Sequence, residues 1–196
     1  MTKTQRTLGS GLMRMSIIVV DMLNDFVTGA LKCERASSII PNIQRLLNFA
    51  RKKKIPVIYV SDAHLPGIDD ELELWPPHAI VGTEGAEIIE ELKPVEGDYT
   101  LQKRRYSAFY ETGLDPLLRE LKVDTVVLVG LVTNVCIQHT AADAFFRGYR
   151  IIVPEDCVEA STEEAQKTAI KYLKMNYGSE IVNVQELMRL IEKESV

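Results

Sequence analysis

The sequence is poor in the residues that announce specialised architectures. Its three cysteines, at 33, 136 and 157, have neither the even count of a disulfide framework nor metal-knuckle spacing, and they fit a reducing, cytoplasmic setting. No apolar run is long enough to span a bilayer, so no membrane partner is expected. Residues 1–10 are polar and lack the apolar centre of a signal peptide. A net charge of −5 argues against nucleic acid as the main partner. No repeat, low-complexity tract or linker divides the chain. What remains reads as one domain over 15–196 behind a flexible tail at 1–14, with Met13 or Met15 as alternative starts.

What is present is an alternation of strands and helices. Ser16 to Asp21, Pro56 to Ser61, Tyr99 to Lys103, Thr125 to Val129, Arg150 to Pro154 and Glu180 to Val184 are strand-like, several of them continuous apolar runs of the kind buried parallel strands show. Helices are expected from Ser37-Ser38 to the basic run at Arg51–Lys54, and from a Thr83 cap through Ile88, Ile89 and Leu92. Further helices are expected from Asp115-Pro116 to Leu121, from Val135 to a stop at Gly148, from a Ser161–Glu164 capping box to about Met175, and over Gln185–Lys193. The pattern predicts a three-layer α/β/α fold around a doubly wound, mainly parallel, six-stranded Rossmann-like sheet. In such sheets ligands bind at the carboxyl ends of the strands, near a topological switch point.

Those ends carry the chemistry. The first strand delivers Asp21, the second Asp62 and His64, the third Lys103, and the fourth leads to Cys136 in the first turn of a helix. Unpaired amides there favour an anion, which makes Cys136 a candidate thiolate nucleophile. Asp21 could take its proton, and Lys103 could hold that carboxylate ionised and steady developing charge. A buried Asp–Lys pair beside an unrelated cysteine would show the same spacing, and the residues leave that alternative open.

A second set is Asp62-x-His64 with His78. Residues two apart on an extended strand end point to one side, so a carboxylate and an imidazole can share a cation, and His78 can return from the long 65–82 loop as a third ligand. Glu71 or Asp70 could add a fourth. His139, one turn beyond Cys136, reads as a packed or partly solvated histidine, and Cys33 and Cys157 as structural.

Taken in order, these stretches resemble the isochorismatase-like cysteine hydrolases, and within them the nicotinamidase/pyrazinamidase family. The resemblance rests on Val-Val-Asp21-Met-Leu-Asn-Asp-Phe26, Ser-Asp62-Ala-His64, Trp75-Pro-Pro-His78, Lys103 with Ser107-Ala-Phe109, and Gly130-Leu-Val-Thr-Asn-Val-Cys136, and it covers the chain from Ile17 onward. It implies an Asp21–Lys103–Cys136 triad and a divalent metal, zinc first with iron or manganese as alternatives, on Asp62, His64 and His78. It also implies an oxyanion hole of the Val132 and Cys136 amides, a cis peptide between Val132 and Thr133, and an aromatic carboxamide ring between Phe26 and Trp75. The activity implied is hydrolysis of nicotinamide to nicotinic acid and ammonia through a thioester, in a homo-oligomer. The family's extra histidine in the loop before His78 is absent, which keeps Glu71 among the ligands, and Ala79 stands where many members have cysteine. Relatives acting on N-carbamoylsarcosine, ureidoacrylate or isochorismate share the cysteine region, so a small carbamoyl or amide substrate is the alternative. A non-catalytic binding protein on the same fold is the third reading.

Overall fold

The computed structural model describes residues 14–194. Of the expected tail only Arg14, and of the two alternative starts only Met15, lies within them. Arg14 is already tied in, its carbonyl accepting the Asp124 amide at 2.8 Å.

In chain order the elements are β1 (Met15–Val20), the short α1 (Asn24–Val27), α2 (Ile40–Lys52), β2 (Val57–Asp62), the short α3 (Glu71–Leu74) and β3 (Tyr99–Lys103). There follow α4 (Leu114–Glu120), β4 (Thr125–Leu131), α5 (Gln138–Phe146), β5 (Arg150–Pro154), β6 (Val158–Glu159), α6 (Glu163–Tyr177), β7 (Glu180–Val182) and α7 (Val184–Glu194). All strand pairs are parallel, in the order β3-β2-β1-β4-β5-β7. The chain winds outward from β1 to β3, then returns to lay β4 on the other side of β1. The β1/β4 boundary is therefore the switch point.

The sheet has seven strands where the sequence predicts six. The extra one, β6, pairs with the end of β4 after β5 has paired with its beginning. It continues β5 past a tight turn at Glu155–Cys157, and two residues are too few to show an alternating pattern.

Alternation along β1 divides the core. Ile17 and Val19 pack on the side covered by α2 and α7, whereas Ile18 and Val20 face α4, α5 and α6. Strands buried on both faces are apolar throughout for this reason. Gly130, at φ +112°, sits where β4 presses on β1, and a Cβ there would stand 2.0 Å from the Val20 carbonyl oxygen.

Several expected helix boundaries move. The predicted helix from Thr83 to Leu92 is two separate turns, Glu84–Ala86 and Glu90–Leu92. The backbone between them is used elsewhere, since the Glu87 carbonyl accepts the Asn24 amide and the Ile89 amide donates to the Met22 carbonyl. Ser38 donates to the Arg35 carbonyl instead of capping α2. Gly113 holds the position expected of Asp115, whose carboxylate accepts the Tyr149 hydroxyl at 2.7 Å. The α6 cap is Thr162, one residue later than the predicted box, with its hydroxyl accepting the Ala165 amide at 3.1 Å. Thr162→Ala is expected to lower stability by about 1 kcal/mol, read as a fall in urea midpoint at constant slope. No change in midpoint would mean the cap is not used.

Candidate active site

Asp21, Asp62, Lys103 and Cys136 each arrive from the carboxyl end of a different strand. Asp21 leaves β1 in the left-handed region (φ 52°), a conformation aspartate tolerates better than most residues. Its Oδ1 accepts the Asp62 amide at 2.8 Å, which fixes the carboxylate against β2. Asp62 and Lys103 are register partners on neighbouring strands. The Lys103 ammonium is buried and lies 2.7 Å from Asp21 Oδ2, 2.6 Å from Asp62 Oδ1 and 3.6 Å from Cys136 Sγ. Cys136 sits in a π-helical turn, Thr133–Ile137, that leads from β4 into α5. The three residues predicted from separate strands are thus in contact.

The charges decide how this group rests. Burial, reinforced by the charge of Asp62, pushes the Asp21 carboxyl up to about 6 against the pull of Lys103. Burial likewise pushes the Cys136 thiol well up, with the Lys103 charge pulling it down and the Asp21 and Asp62 charges pushing it up. The pull of the helix start toward an anion at Cys136 is thus opposed by burial. Lys103 is held well above its ordinary value, because the two carboxylates outweigh the cost of its burial.

The cis peptide is also displaced from its predicted place. It joins Leu131 to Val132, one bond earlier than the Val132–Thr133 bond. Leu131 is the last residue of β4 to pair, and Val132, still extended, caps the turn that begins at Thr133.

The second cluster touches the first through Asp62. One ligand atom each from Asp62, His64, Glu71 and His78 lies within 4.8 Å of the others. His64 is brought beside His78 because its backbone pairs with the returning loop: its amide donates to the Ala79 carbonyl, and its carbonyl accepts the Val81 amide. Glu71 Oε1 is 3.9 Å from Nε2 of both histidines. Asp70, the alternative fourth ligand, is exposed and outside the group. His78 Nδ1 meets the Pro76 carbonyl at 2.7 Å, which places the proton there and leaves the Nε2 lone pair facing Glu71. Burial holds His78 below its ordinary pKa, in the neutral form a ligand requires. Neither ring nitrogen of buried His64 has a hydrogen-bond partner. Two imidazoles and two carboxylates converging in this way fit a divalent cation. Asp21, Asp62 and Cys136 also approach one another within 4.8 Å, but the Lys103 ammonium already lies between them as the cation.

Above both clusters opens a cleft of about 150 Å³. Phe26 and Trp75 line it as the resemblance implies, and Val132 and Cys136 form its floor. Tyr106 was not foreseen. It lies on the wall, where its hydroxyl accepts the Trp75 indole N–H at 3.1 Å. An aromatic residue three positions beyond Lys103 was the one signal for it. Cys33, read as structural, is buried but also lines the cleft. His139 is exposed, lies tilted against Tyr106 with ring centroids 5.3 Å apart, and its Nδ1 meets the Val135 carbonyl.

A thiol, a carboxylate and an ammonium thus lie buried together at the switch point of a doubly wound parallel α/β sheet. The chain belongs to the isochorismatase family, whose Isochorismatase domain matches residues 15–186. It is similar to the crystal structure of N-carbamoylsarcosine amidase from Thermoplasma acidophilum, at 41% identity over 88% of this chain and 97% of that one, with a TM-score of 0.83. It is similar also to nicotinamidase from Bacillus subtilis, at 32% identity over 87% and 100% of the two chains (TM-score 0.82). Pyrazinamidase of Pyrococcus horikoshii, solved in complex with zinc, is 28% identical over 87% and 99%, with a TM-score of 0.81. The chain is an isochorismatase-like hydrolase, and among its described residues no helix is long and apolar enough to cross a membrane.

Proposed function

We propose that the protein is a metal-dependent cysteine amidase that hydrolyses nicotinamide or a closely similar aromatic carboxamide to the acid and ammonia. The observation that carries this reading is Asp62, which joins the two clusters. One of its oxygens meets Lys103, and the other lies 3.7 Å from His64 Nε2. A nucleophile and a cation site joined in this way serve one small substrate lying across both. The aromatic walls at Phe26, Trp75 and Tyr106 suit a flat ring.

Asp21 takes the Cys136 proton as sulfur attacks the carboxamide carbon, so the carbon–sulfur bond forms while the carbonyl electrons move onto oxygen. The amides of Val132 and Cys136 receive that oxyanion. Asp21 returns the proton to nitrogen, the carbon–nitrogen bond breaks and ammonia leaves a thioester. Water, deprotonated by Asp21, then releases the acid and restores the thiol. Lys103 keeps Asp21 ionised between these transfers. Asp62, His64, Glu71 and His78 would hold the metal, zinc first, which when bound supplies Lewis-acid polarisation of a ligand donor atom.

A second reading, hydrolysis of a small carbamoyl compound by the same triad, is favoured by the higher identity to the N-carbamoylsarcosine amidase. Ammonia release from nicotinamide and from N-carbamoylsarcosine, before and after chelation and zinc restoration, separates the two. Nicotinamide turnover that falls at least about tenfold on chelation and returns with zinc is expected. Turnover of the carbamoyl compound alone would move the assignment to the second reading. Release from neither by zinc-loaded protein would reject both substrates.

A further inference from the structure

Asp69 belongs to neither cluster, yet it is a fully buried carboxylate with more bonds than any other acid in the site. The Leu65 amide donates to its Oδ2 at 2.8 Å. Arg104 donates to Oδ1 from Nε at 2.9 Å and from Nη2 at 2.6 Å, and Arg105 Nη1 adds a bond to the same oxygen at 3.0 Å. Three guanidinium donors on one oxygen leave little freedom in the carboxylate plane. Oδ2 takes only the Leu65 amide and a longer 3.2 Å contact from Arg104 Nε, and it lies 3.4 Å from His64 Nδ1, within ion-pair reach but outside hydrogen-bond geometry.

The other face of the His64 ring turns Nε2 toward Asp62 Oδ2 at 3.7 Å and Glu71 Oε1 at 3.9 Å. An imidazole can offer a lone pair on one nitrogen only if its proton is on the other, and a carboxylate at Nδ1 draws the proton there. We propose that Asp69 is the positioning residue of the metal site: clamped by Arg104 and Arg105, it holds the His64 proton on Nδ1 and so aims the Nε2 lone pair at the cation.

The two arginines follow Lys103 directly at the tip of β3, so the strand that supplies the triad lysine also anchors the metal loop. Asp69 reaches that loop by a second route, since its carbonyl accepts the Leu72 amide at the start of α3, the turn that carries Glu71. His64 and Glu71 are thereby set by one residue.

The inference rests on the metal reading given above, and the test keeps the two apart. Zinc affinity is measured by chelator competition for the wild type, Asp69→Ala and the near-isosteric Asp69→Asn. His64, one of only three histidines, is followed by long-range proton–nitrogen spectra of the zinc-loaded wild type. A proton on Nδ1 with zinc on Nε2, and affinity 10–100-fold weaker in the alanine variant, is the expected result. Zinc on Nδ1, or wild-type affinity in whichever variant folds, overturns the proposal. A wild type that takes up no zinc would sink the metal reading instead, and the spectrum of that metal-free protein, titrated to neutral imidazole, would still place the proton. A proton on Nε2 there also overturns the role of Asp69.

Discussion

Cys136→Ala is expected to lower amide turnover by more than about 10³-fold while the protein folds as before, because a nucleophile removed from a unit that acts together takes most of the rate with it. The size of the effect follows from the burial of the thiol. Cys136 is 5% exposed, beside an ammonium and two carboxylates, so no bulk water stands in its place to attack the substrate at comparable rate. The loss should fall on kcat, since the cleft walls at Phe26, Trp75 and Tyr106 are untouched. Steady-state ammonia release, with intact-mass detection of the acyl-enzyme in wild type and its absence in the variant, measures this. Residual turnover above a hundredth of wild type would remove Cys136 from the chemistry.

Lys103→Met should produce the largest loss of stability of any single change in the site. The lysine is the counter-charge of two buried carboxylates, at 2.7 and 2.6 Å, and methionine fills similar volume without the charge. Breaking a buried ion pair by removing one partner costs about 3–5 kcal/mol, because the charge left behind is desolvated and uncompensated. Against a total stability of roughly 5–15 kcal/mol, that is a large share. Urea unfolding of metal-free protein reads it, since a bound cation would neutralise Asp62 from the other side. A second carboxylate change tests the cause: Asp21→Asn added to Lys103→Met should recover part of the loss, which only coupled charges can do. A loss under about 1 kcal/mol, with no recovery in the double variant, would mean Lys103 packs as an aliphatic chain and its charge does not matter to the fold.

Both effects trace to residues visible in the sequence, and their visibility has a physical basis. Strands buried on both faces must be apolar along their whole length, so Ile17–Val20 and Val126–Val129 announced themselves, and the polar residues that end such runs, Asp21, Asp62 and Lys103, stood out against them. A parallel sheet brings all those ends to one edge whatever the loop lengths, which is why side chains far apart in sequence could be grouped before any contact was known. The ordered motifs through Cys136 identified the family for the same reason: each is local in sequence.

Only the tertiary structure decided the rest. Glu71 rather than Asp70 faces the histidines because α3 begins at residue 71 and turns the two neighbouring carboxylates apart. The predicted helix at 83–92 gave way to two turns because its backbone groups were needed by residues 22–24 across the loop. Tyr106 and Asp69 took their places through contacts with Trp75 and His64, which no periodicity encodes. Cys136 at a helix start suggested an anion, but its proton depends on the sum of burial, one ammonium and two carboxylates, and that sum exists only once four strands have met.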